Sequence, residues 1–285
     1  MKLIILAAGK GTQSLDKNLS LPKCLIKVDG KTPLSQAIEA AKQSSIDNIT
    51  VVCGDGMDKI VQENTSINCL YNENWSTTTN LESLKVALES ITHKGEDLII
   101  AYSDIWYDLS VIKNLAASSS KLSLVYDHNI NTNNYTNFLT EAEKVYSKNN
   151  IVHISKVIIQ NDLLGEFIGL IKVSSQLTTN LLLQINSLLD NNPQNKLIDL
   201  FNDYAKREKV DLVKITSDWR EVDITQESSH FKFGTKSETL KKLETKISKA
   251  IILPQVSFSI AEIQKDSDVI VKSIKTFFKN ELIIV

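Results

Sequence analysis

Apolar runs and helical repeats alternate along roughly the first 125 residues of the chain. The run from Leu3 to Ala8 is continuous and ends at a glycine turn, a pattern typical of a buried strand followed by a tight loop. Similar patterns predict strands at 49–53, 67–70 and 97–101, and helices at 33–42, 57–62 and 79–90. Strands that alternate with helices predict an α/β fold with a doubly wound, mostly parallel sheet flanked by helices.

The pattern becomes less regular after residue 125. It predicts strands at 121–126, 151–159, 167–173 and 210–215, and helices at 177–189 and 197–206. The two strands on either side of residue 160 are predicted to be antiparallel, which makes the sheet a mixed one. The segment that follows, Trp219–Ile224, has the alternating charge of a strand at an edge.

Lysine and glutamate dominate residues 235–249, and their pattern predicts a helix that links two domains. We therefore predict one large α/β domain at 1–234, a linker helix at 235–250 and the start of a further domain at 251–285. The sequence ends in the apolar run Ile283–Val285 without a following turn, from which we expect that this further domain is truncated.

The composition and charge of the chain argue against a nucleic acid or a membrane as a partner. Apolar residues make up 42% of the 285 residues, and the formal net charge is −2. Because no basic run occurs, we expect no nucleic-acid partner. No apolar run approaches the length of about 18 residues that spans a bilayer, and the N-terminus lacks a signal-peptide pattern, so we expect a cytoplasmic protein without a membrane partner. The scattered Cys24, Cys53 and Cys69 predict free thiols.

The loop after the first strand, Gly9-Lys10-Gly11-Thr12, has the glycines of a phosphate-binding turn. A P-loop has its lysine directly after the last glycine, whereas Lys10 lies between the two glycines here. A dinucleotide fingerprint requires glycine or alanine three residues after the second glycine, where this chain has Ser14. A plain tight turn is the alternative to a phosphate site.

The segment Leu6–Thr12, followed by Pro22-Lys23, resembles the signature of the nucleotidyltransferase superfamily, of the sugar-phosphate and phosphocholine cytidylyltransferase type. The resemblance covers about residues 1–233 and implies a Rossmann-like fold of the nucleotide-diphospho-sugar transferase type. It also implies that loop amides cradle a triphosphate, that small alanines leave room for base and ribose, and that Lys23 neutralises charge on the departing pyrophosphate. The implied nucleotide-binding residues are Leu6, Ala7, Ala8, Gly9, Gly11, Thr12, Gln13 and Lys23.

Three residues depart from the family pattern, and one of them is Thr79, which stands where the family more often has asparagine. The family commonly has an arginine where this chain has Gln13, and a glutamine donates hydrogen bonds but carries no charge. Either Lys10 or Lys17 replaces that charge, or catalysis is weakened, which leaves a domain that binds nucleotide without catalysis as a further alternative. The third departure is Ser103, where the family usually has glycine.

Asp104 and Asp223 stand at predicted strand ends. The resemblance implies that each gives one carboxylate to Mg²⁺, which prefers hard oxygen ligands. It makes Lys23, Asp104 and Asp223 the catalytic residues for an in-line attack of an acceptor phosphate oxygen on the α-phosphorus. The alternatives are a helix N-cap for Asp104, a role that Asp108 suits better, and a solvated strand end for Asp223.

Two further segments resemble substrate-binding motifs of the family. Thr79 and Asn80 stand before a predicted helix, as in the family's T-N-N-x-x-S-L segment, which implies contact with the nucleotide; helix capping is the alternative. Glu166 begins a segment similar to the family's E-x-x-G strand and is expected to hold a cationic amine of the acceptor. An aromatic wall would favour the same amine, with a place in the core as the alternative. The aromatic residues expected there are Trp75, Tyr102 and Trp106.

These features predict a Mg²⁺-dependent enzyme that transfers CMP from CTP to a small phosphorylated or phosphonate acceptor and releases pyrophosphate. The implied acceptors are of the phosphocholine, aminoethylphosphonate or phospho-amino-acid type. The alternatives are a sugar-1-phosphate nucleotidyltransferase that uses UTP, GTP or dTTP, and a non-catalytic nucleotide-binding regulatory domain. Residues 251–285 resemble the start of a phosphoenolpyruvate-synthase-like ATP-grasp kinase domain. That resemblance implies a kinase fused beyond residue 285 and a role in the decoration of surface polysaccharide or lipid.

Overall fold

The computed structural model describes residues 1–9, 21–64, 67–91, 95–129, 140–157, 162–215 and 217–222, and the positions 271 and 274. The chain divides into two compact units, residues 1–228 and 229–285. All the elements named below belong to the first unit. The predicted linker helix at 235–250 and nearly all of the predicted domain at 251–285 lie outside the described residues.

Eleven strands and seven helices occur in the described part of the first unit. The strands are β1 (Lys2–Ala7), β2 (Ile49–Cys53), β3 (Asn68–Tyr71), β4 (Leu98–Tyr102), β5 (Ile105–Tyr107), β6 (Leu122–Asp127), β7 (Lys144–Lys148), β8 (Ile151–Ser155), β9 (Leu163–Val173), β10 (Val210–Lys214) and β11 (Trp219–Glu221). The helices are α1 (Pro33–Gln43), α2 (Met57–Glu63), α3 (Asn80–Ser90), α4 (Ser110–Ala117), α5 (Ser175–Thr178), α6 (Leu181–Asn191) and α7 (Leu197–Ala205). None of these helices is long and apolar enough to cross a membrane.

Nine of these strands form one sheet, whose main path has the order β10-β6-β9-β4-β1-β2-β3. β1 lies parallel between β2 and β4, β3 runs parallel to β2, and β10 runs parallel to β6. β9 is antiparallel to both of its neighbours, β4 and β6, and it also pairs with β7, which forms a hairpin with β8. The remaining strands, β5 and β11, form a separate antiparallel pair. The predicted mostly parallel, mixed sheet is therefore confirmed.

The side chains of β1 alternate between two hydrophobic cores, one on each face of the sheet. Leu3 and Ile5 belong to the core that includes α1 and α4, whereas Ile4 and Leu6 belong to the core that includes α3, α6 and α7. Burial on both faces explains why this strand is a continuous apolar run in the sequence.

β9 bulges where it passes the end of β4. Its register against β6 shifts between Leu124 and Tyr126. On β9, Gly169 has a φ of 77°, in the left-handed region that glycine adopts readily. A Cβ at this position would lie 2.6 Å from a carbon of the Tyr102 ring. Glycine therefore serves both the bend of the strand and its close approach to that ring.

The structure differs from the prediction in three respects. The helix predicted at 177–189 is two helices, α5 and α6, because Asn180 lies outside the helical region between them, with φ of −106° and ψ of 3°. The sequence did not predict β5 and β7, since β5 has only three residues and the apolar alternation of β7 includes the fully buried Lys144. β8 ends at Ser155, whereas the prediction extends to residue 159.

Candidate active site

A cleft of about 300 Å³ opens at the carboxyl ends of β1 and β4. The order of the sheet reverses at β1, because β2 and β3 lie on one side of it and β4 on the other. In open α/β sheets, ligands bind outside the carboxyl ends of the strands at such a reversal. This cleft is therefore the candidate active site.

The first strand supplies one end of the cleft. Leu6, Ala7 and Gly9 line it from the end of β1, and Lys23 lines it from a short 3₁₀ turn. Ala8 lies in the core on the α3 face of the sheet and does not line the cleft. Three of the predicted nucleotide-binding residues lie outside the described part of the chain, so their roles stay predictions: Gly11, Thr12 and Gln13.

Lys23 and Asp104 face each other in the cleft. Lys23 Nζ lies 3.8 Å from Asp104 Oδ2, and the two side chains are 29% and 26% exposed. A partly exposed pair at this distance contributes little to stability. The first turn of α4 is capped by Asp108, whose Oδ1 accepts a hydrogen bond of 2.9 Å from the Ser110 amide. Capping of this helix therefore does not require Asp104.

The chain immediately before Asp223 lies beside Asp104. Glu221 pairs with Ile105 across β11 and β5, and the Val222 amide donates a hydrogen bond of 2.7 Å to the Asp104 carbonyl oxygen. Asp223 itself lies outside the described residues. Within the described ranges, no group of three or more acidic, histidine or cysteine side chains is arranged to hold a metal ion. The predicted metal site of two aspartates therefore stays a prediction.

Thr79 and Asn80, at the start of α3, make different contacts. Thr79 Oγ1 accepts a hydrogen bond of 3.3 Å from the Leu81 amide, which caps the helix, and the Thr79 hydroxyl donates to the Asn195 carbonyl. Thr79 does not line the cleft, so its contacts are those of the capping alternative. Asn80 does line the cleft, and its Oδ1 accepts a hydrogen bond of 2.9 Å from the Leu197 amide.

β9 holds Glu166 at the other end of the cleft. The charged groups that face its carboxylate are Glu221, Asp127 and Lys144. Burial, followed by repulsion from the two acids, raises the pKa of Glu166 to about 7, and Lys144 opposes this only in part. In the described part of the chain, no side chain forms a hydrogen bond or an ion pair with this carboxylate. A cationic group of a ligand would relieve the repulsion.

Of the three aromatic residues predicted for the acceptor subsite, Tyr102 lines the cleft. Trp75 covers the backbone of Gly54 instead, where a Cβ would lie 2.7 Å from Trp75 Cγ. Trp106 does not line the cleft either. Trp219, to which the sequence assigned no role, does line the cleft, and its indole N–H donates a hydrogen bond of 2.8 Å to an Asp127 carboxylate oxygen.

The hairpin of β7 and β8 brings three charged residues to the cleft that sequence reasoning missed. They are Glu141, Glu143 and Lys156, and Lys156 Nζ lies 3.7 Å from a Glu141 carboxylate oxygen. Burial raises the pKa of Glu143, although a hydrogen bond of 3.1 Å donated by the Tyr102 hydroxyl opposes the shift. The two asparagines at 149–150 have φ of 52° and 65°, as in a type I′ hairpin turn. This Asn-Asn pair is the signal that predicts the hairpin.

Several known proteins and one protein family are similar to this chain. Residues 3–134 match the family described as the MobA-like NTP transferase domain. CTP:phosphoglutamine cytidylyltransferase from Campylobacter jejuni is 28% identical over 243 residues, which cover 78% of this chain and 96% of that protein. A bifunctional protein GlmU from Neisseria meningitidis is 30% identical over 129 residues, 45% of this chain and 27% of that protein. The solved structure of the inositol-1-phosphate CTP transferase from T. maritima has a TM-score of 0.61 and 14% identity, over 87% of this chain and 97% of that chain.

The fold is that of the nucleotide-diphospho-sugar transferases. The chain is an enzyme, a nucleotidyltransferase, and the superfamily that the motif around Gly9 and Lys23 implied is confirmed.

Proposed function

We propose that the enzyme is a Mg²⁺-dependent cytidylyltransferase, which transfers CMP from CTP to a small phosphorylated or phosphonate acceptor. The observation that carries the proposal is the pair of Lys23 and Asp104, 3.8 Å apart, in the cleft that Leu6, Ala7 and Gly9 also line. The use of CTP is supported by the similarity to CTP:phosphoglutamine cytidylyltransferase, which covers 96% of that relative.

The chemistry of the Asp104 and Asp223 side chains fits a magnesium ion. Asp104 offers a half-buried carboxylate, and Asp223 follows directly after Val222, whose amide binds the Asp104 backbone. Two carboxylates and the nucleotide phosphates are a donor set that Mg²⁺ accepts, since it usually retains several waters. Asp104 and Asp223 would hold the ion, which when bound supplies positive charge to the phosphate oxygens.

The reaction requires alignment and charge neutralisation from the protein. An acceptor phosphate oxygen forms a bond to the α-phosphorus, and the bond from that phosphorus to pyrophosphate breaks, so no covalent enzyme intermediate is needed. The Lys23 ammonium stabilises the charge that develops on the pyrophosphate. In-line attack places the acceptor opposite the leaving group, on the β9 and β7 side of Asp104.

The charge of the cleft favours an acceptor that carries an ammonium group. Acidic side chains outnumber basic ones among its described lining residues, which would repel a substrate that brings only phosphate charge. The acids are Asp104, Glu141, Glu143, Glu166 and Glu221, and the bases are Lys23 and Lys156. We therefore propose acceptors of the phosphocholine, aminoethylphosphonate or phospho-amino-acid type ahead of sugar 1-phosphates.

The direct test measures pyrophosphate release with each of CTP, UTP, GTP and dTTP, combined with phosphocholine, aminoethylphosphonate, phosphoglutamine and a sugar 1-phosphate. We expect release with CTP and an amine-bearing acceptor. Release only with a sugar 1-phosphate would replace this proposal by the sugar-nucleotide alternative. Nucleotide binding without release for any pair would favour the non-catalytic domain that Gln13 and Ser103 suggest.

The metal assignment predicts the effect of one substitution. Asp104→Asn keeps the shape of the side chain but removes its charge, so we expect a loss of activity of at least about a hundredfold with an unchanged melting temperature. Asp108→Asn is the matched control, because asparagine also caps helices and Asp108 lies outside the cleft lining. Full activity of the Asp104 variant at limiting Mg²⁺ would show that Asp104 does not hold the metal.

The cellular context is proposed from the sequence alone. The kinase-like resemblance of residues 251–285 supports an enzyme in which a fused kinase supplies the phosphorylated acceptor, in the cytoplasm, for the decoration of surface polysaccharide or lipid. The gene sequence that follows the codon for Val285 tests this proposal. An open reading frame without the remainder of an ATP-grasp domain would remove its basis.

A further inference from the structure

The Tyr102 hydroxyl and the neighbouring Asn80 lie beside the Glu143 carboxylate in the cleft. The Leu197 amide donates to Asn80 Oδ1 at 2.9 Å, and because a backbone N–H can only donate, the Asn80 NH₂ group is turned to the other side. On that side Asn80 faces the Tyr102 hydroxyl and partly offsets the rise that burial gives to the pKa of Tyr102. The Tyr102 hydroxyl then donates to Glu143 Oε2 at 3.1 Å. The Tyr102 hydroxyl is the donor in this bond, so the Glu143 carboxylate is held as an acceptor.

Packing fixes the position of the Tyr102 ring. The Tyr102 ring meets Phe167 edge-on with ring centres 5.9 Å apart, and Gly169 leaves the space that the ring needs. The backbone is tied as well, because the Phe167 amide donates a hydrogen bond of 2.7 Å to the Glu143 carbonyl. Glu143 is therefore attached to β9 and to β4, on the side of Asp104 from which the acceptor would attack.

The Glu143 carboxylate has unused capacity to accept hydrogen bonds. A carboxylate can accept about four, and within the described residues the Tyr102 hydroxyl is its one donor. The other charged groups that face it are Lys156, Lys196 and Asp104, and neither lysine hydrogen-bonds it. A half-buried carboxylate in this position favours a ligand that brings N–H donors.

We propose that Glu143 selects acceptors by accepting a hydrogen bond from an ammonium or carboxamide N–H, and that Tyr102 is a positioning residue that holds its carboxylate in place. The inference rests on the proposed transfer reaction and narrows its acceptor. Phosphoethanolamine, aminoethylphosphonate and phosphorylated amino acids carry such N–H groups. Phosphocholine does not, because methyl groups replace all of its N–H groups, and it would leave the carboxylate unsatisfied.

The test compares phosphoethanolamine with phosphocholine, which differ only in N–H against N-methyl. For the full chain with CTP, we expect a lower KM for phosphoethanolamine. Glu143→Gln and Tyr102→Phe should raise that KM about tenfold, as expected for a lost hydrogen bond to a charged group. The KM for CTP should change less than twofold, and the KM for phosphocholine should rise clearly less than that for phosphoethanolamine, because phosphocholine loses only the attraction of the charge and no hydrogen bond. Tyr146→Phe is the matched control, since its hydroxyl binds the Val157 carbonyl in the same hairpin, outside the cleft lining.

Each outcome decides for or against the role of Glu143. Equal effects on both acceptors, or an effect mainly on the KM for CTP, would overturn it. If Glu143→Gln does not fold, Tyr102→Phe gives the same comparison.

If the wild type releases no pyrophosphate, calorimetry with phosphoethanolamine in the presence of CTP separates the role of Glu143 from the proposed transfer reaction. A tenfold weaker binding of phosphoethanolamine by the variants would then support the role of Glu143, although the proposal of a transfer reaction would be wrong. Unchanged binding, or no binding by the wild type, overturns the Glu143 role.

Discussion

At the scale of single residues, the carboxyl group of Glu166 links stability to pH. Its pKa lies at about 7 in the folded protein because of burial and the nearby Glu221 and Asp127, with Lys144 as the opposing cation. An unfolded glutamate has a pKa near 4.3, so the folded state retains this proton to higher pH than the unfolded state. The free energy of unfolding therefore falls as the pH rises from about 4.3 to about 7, and the loss is complete above that range.

Glu166→Gln should remove this pH dependence. Between pH 5 and pH 8, we expect the melting temperature of the wild type to fall by about 2–4 °C more than that of the variant, the shift produced by roughly 1 kcal/mol in a chain of this size. Differential scanning calorimetry at several pH values provides the measurement. Glu89→Gln, at an exposed position on α3, is the control that should behave like the wild type. Parallel pH curves for wild type and Glu166→Gln would contradict the raised pKa.

Glu166 was predicted as a site residue from the sequence, whereas Glu143 was not. Glu166 stands three residues before Gly169, and the structure supplies a physical reason for that spacing, because the bulge at Gly169 lies against the Tyr102 ring. Glu143 has no such local signature. It reaches the cleft only through pairing of β7 with β9, a long-range contact that local patterning does not report.

At the scale of elements, the bulge of β9 can be tested with two alanine substitutions. Gly169 and Gly30 both have positive φ, of 77° and 89°, but only Gly169 would place a Cβ against another side chain. We expect Gly30→Ala to cost about 1 kcal/mol of unfolding free energy and Gly169→Ala about 2–4 kcal/mol, because displacement of Tyr102 adds to the backbone strain. Chemical denaturation gives both values.

Activity should separate the same two variants. Gly169→Ala should lower kcat/KM at least about tenfold, since displacement of Tyr102 also moves the carboxylate that it holds. Gly30→Ala should leave kcat/KM within about twofold. Equal stability losses for the two variants would mean that the Tyr102 contact adds nothing at Gly169.

Most elements could be predicted from the sequence because they bury apolar stripes. β1, β2 and β4 are continuous apolar runs in the centre of the sheet, and α3 repeats its apolar residues at helical spacing. β7 was missed because the buried Lys144 interrupts its apolar pattern. Its ammonium group is satisfied by the carbonyls of Ala142 and Lys156, each at 2.8 Å, which no pattern of hydrophobicity anticipates.

At the scale of the whole molecule, the described cleft residues and both hydrophobic cores belong to the unit of residues 1–228. We therefore expect a chain of residues 1–234 to unfold cooperatively on its own, with a melting temperature within a few degrees of that of the full chain. Its kcat/KM for CTP should stay within about threefold. Calorimetry and pyrophosphate release measure both quantities, and a truncated chain that folds but does not bind CTP would place part of the site beyond residue 234.

The position of β9 in the sheet also has a consequence for biosynthesis. β4 and β6 are complete by residue 127, but the strand that lies between them spans residues 163–173. A nascent chain that has emerged as far as residue 134, the end of the family match, would present the facing edges of both strands without a partner. The end of the cleft at β1 and β4 can thus be assembled early, whereas the end lined by Glu166 and Phe167 must wait until Val173 has left the ribosome.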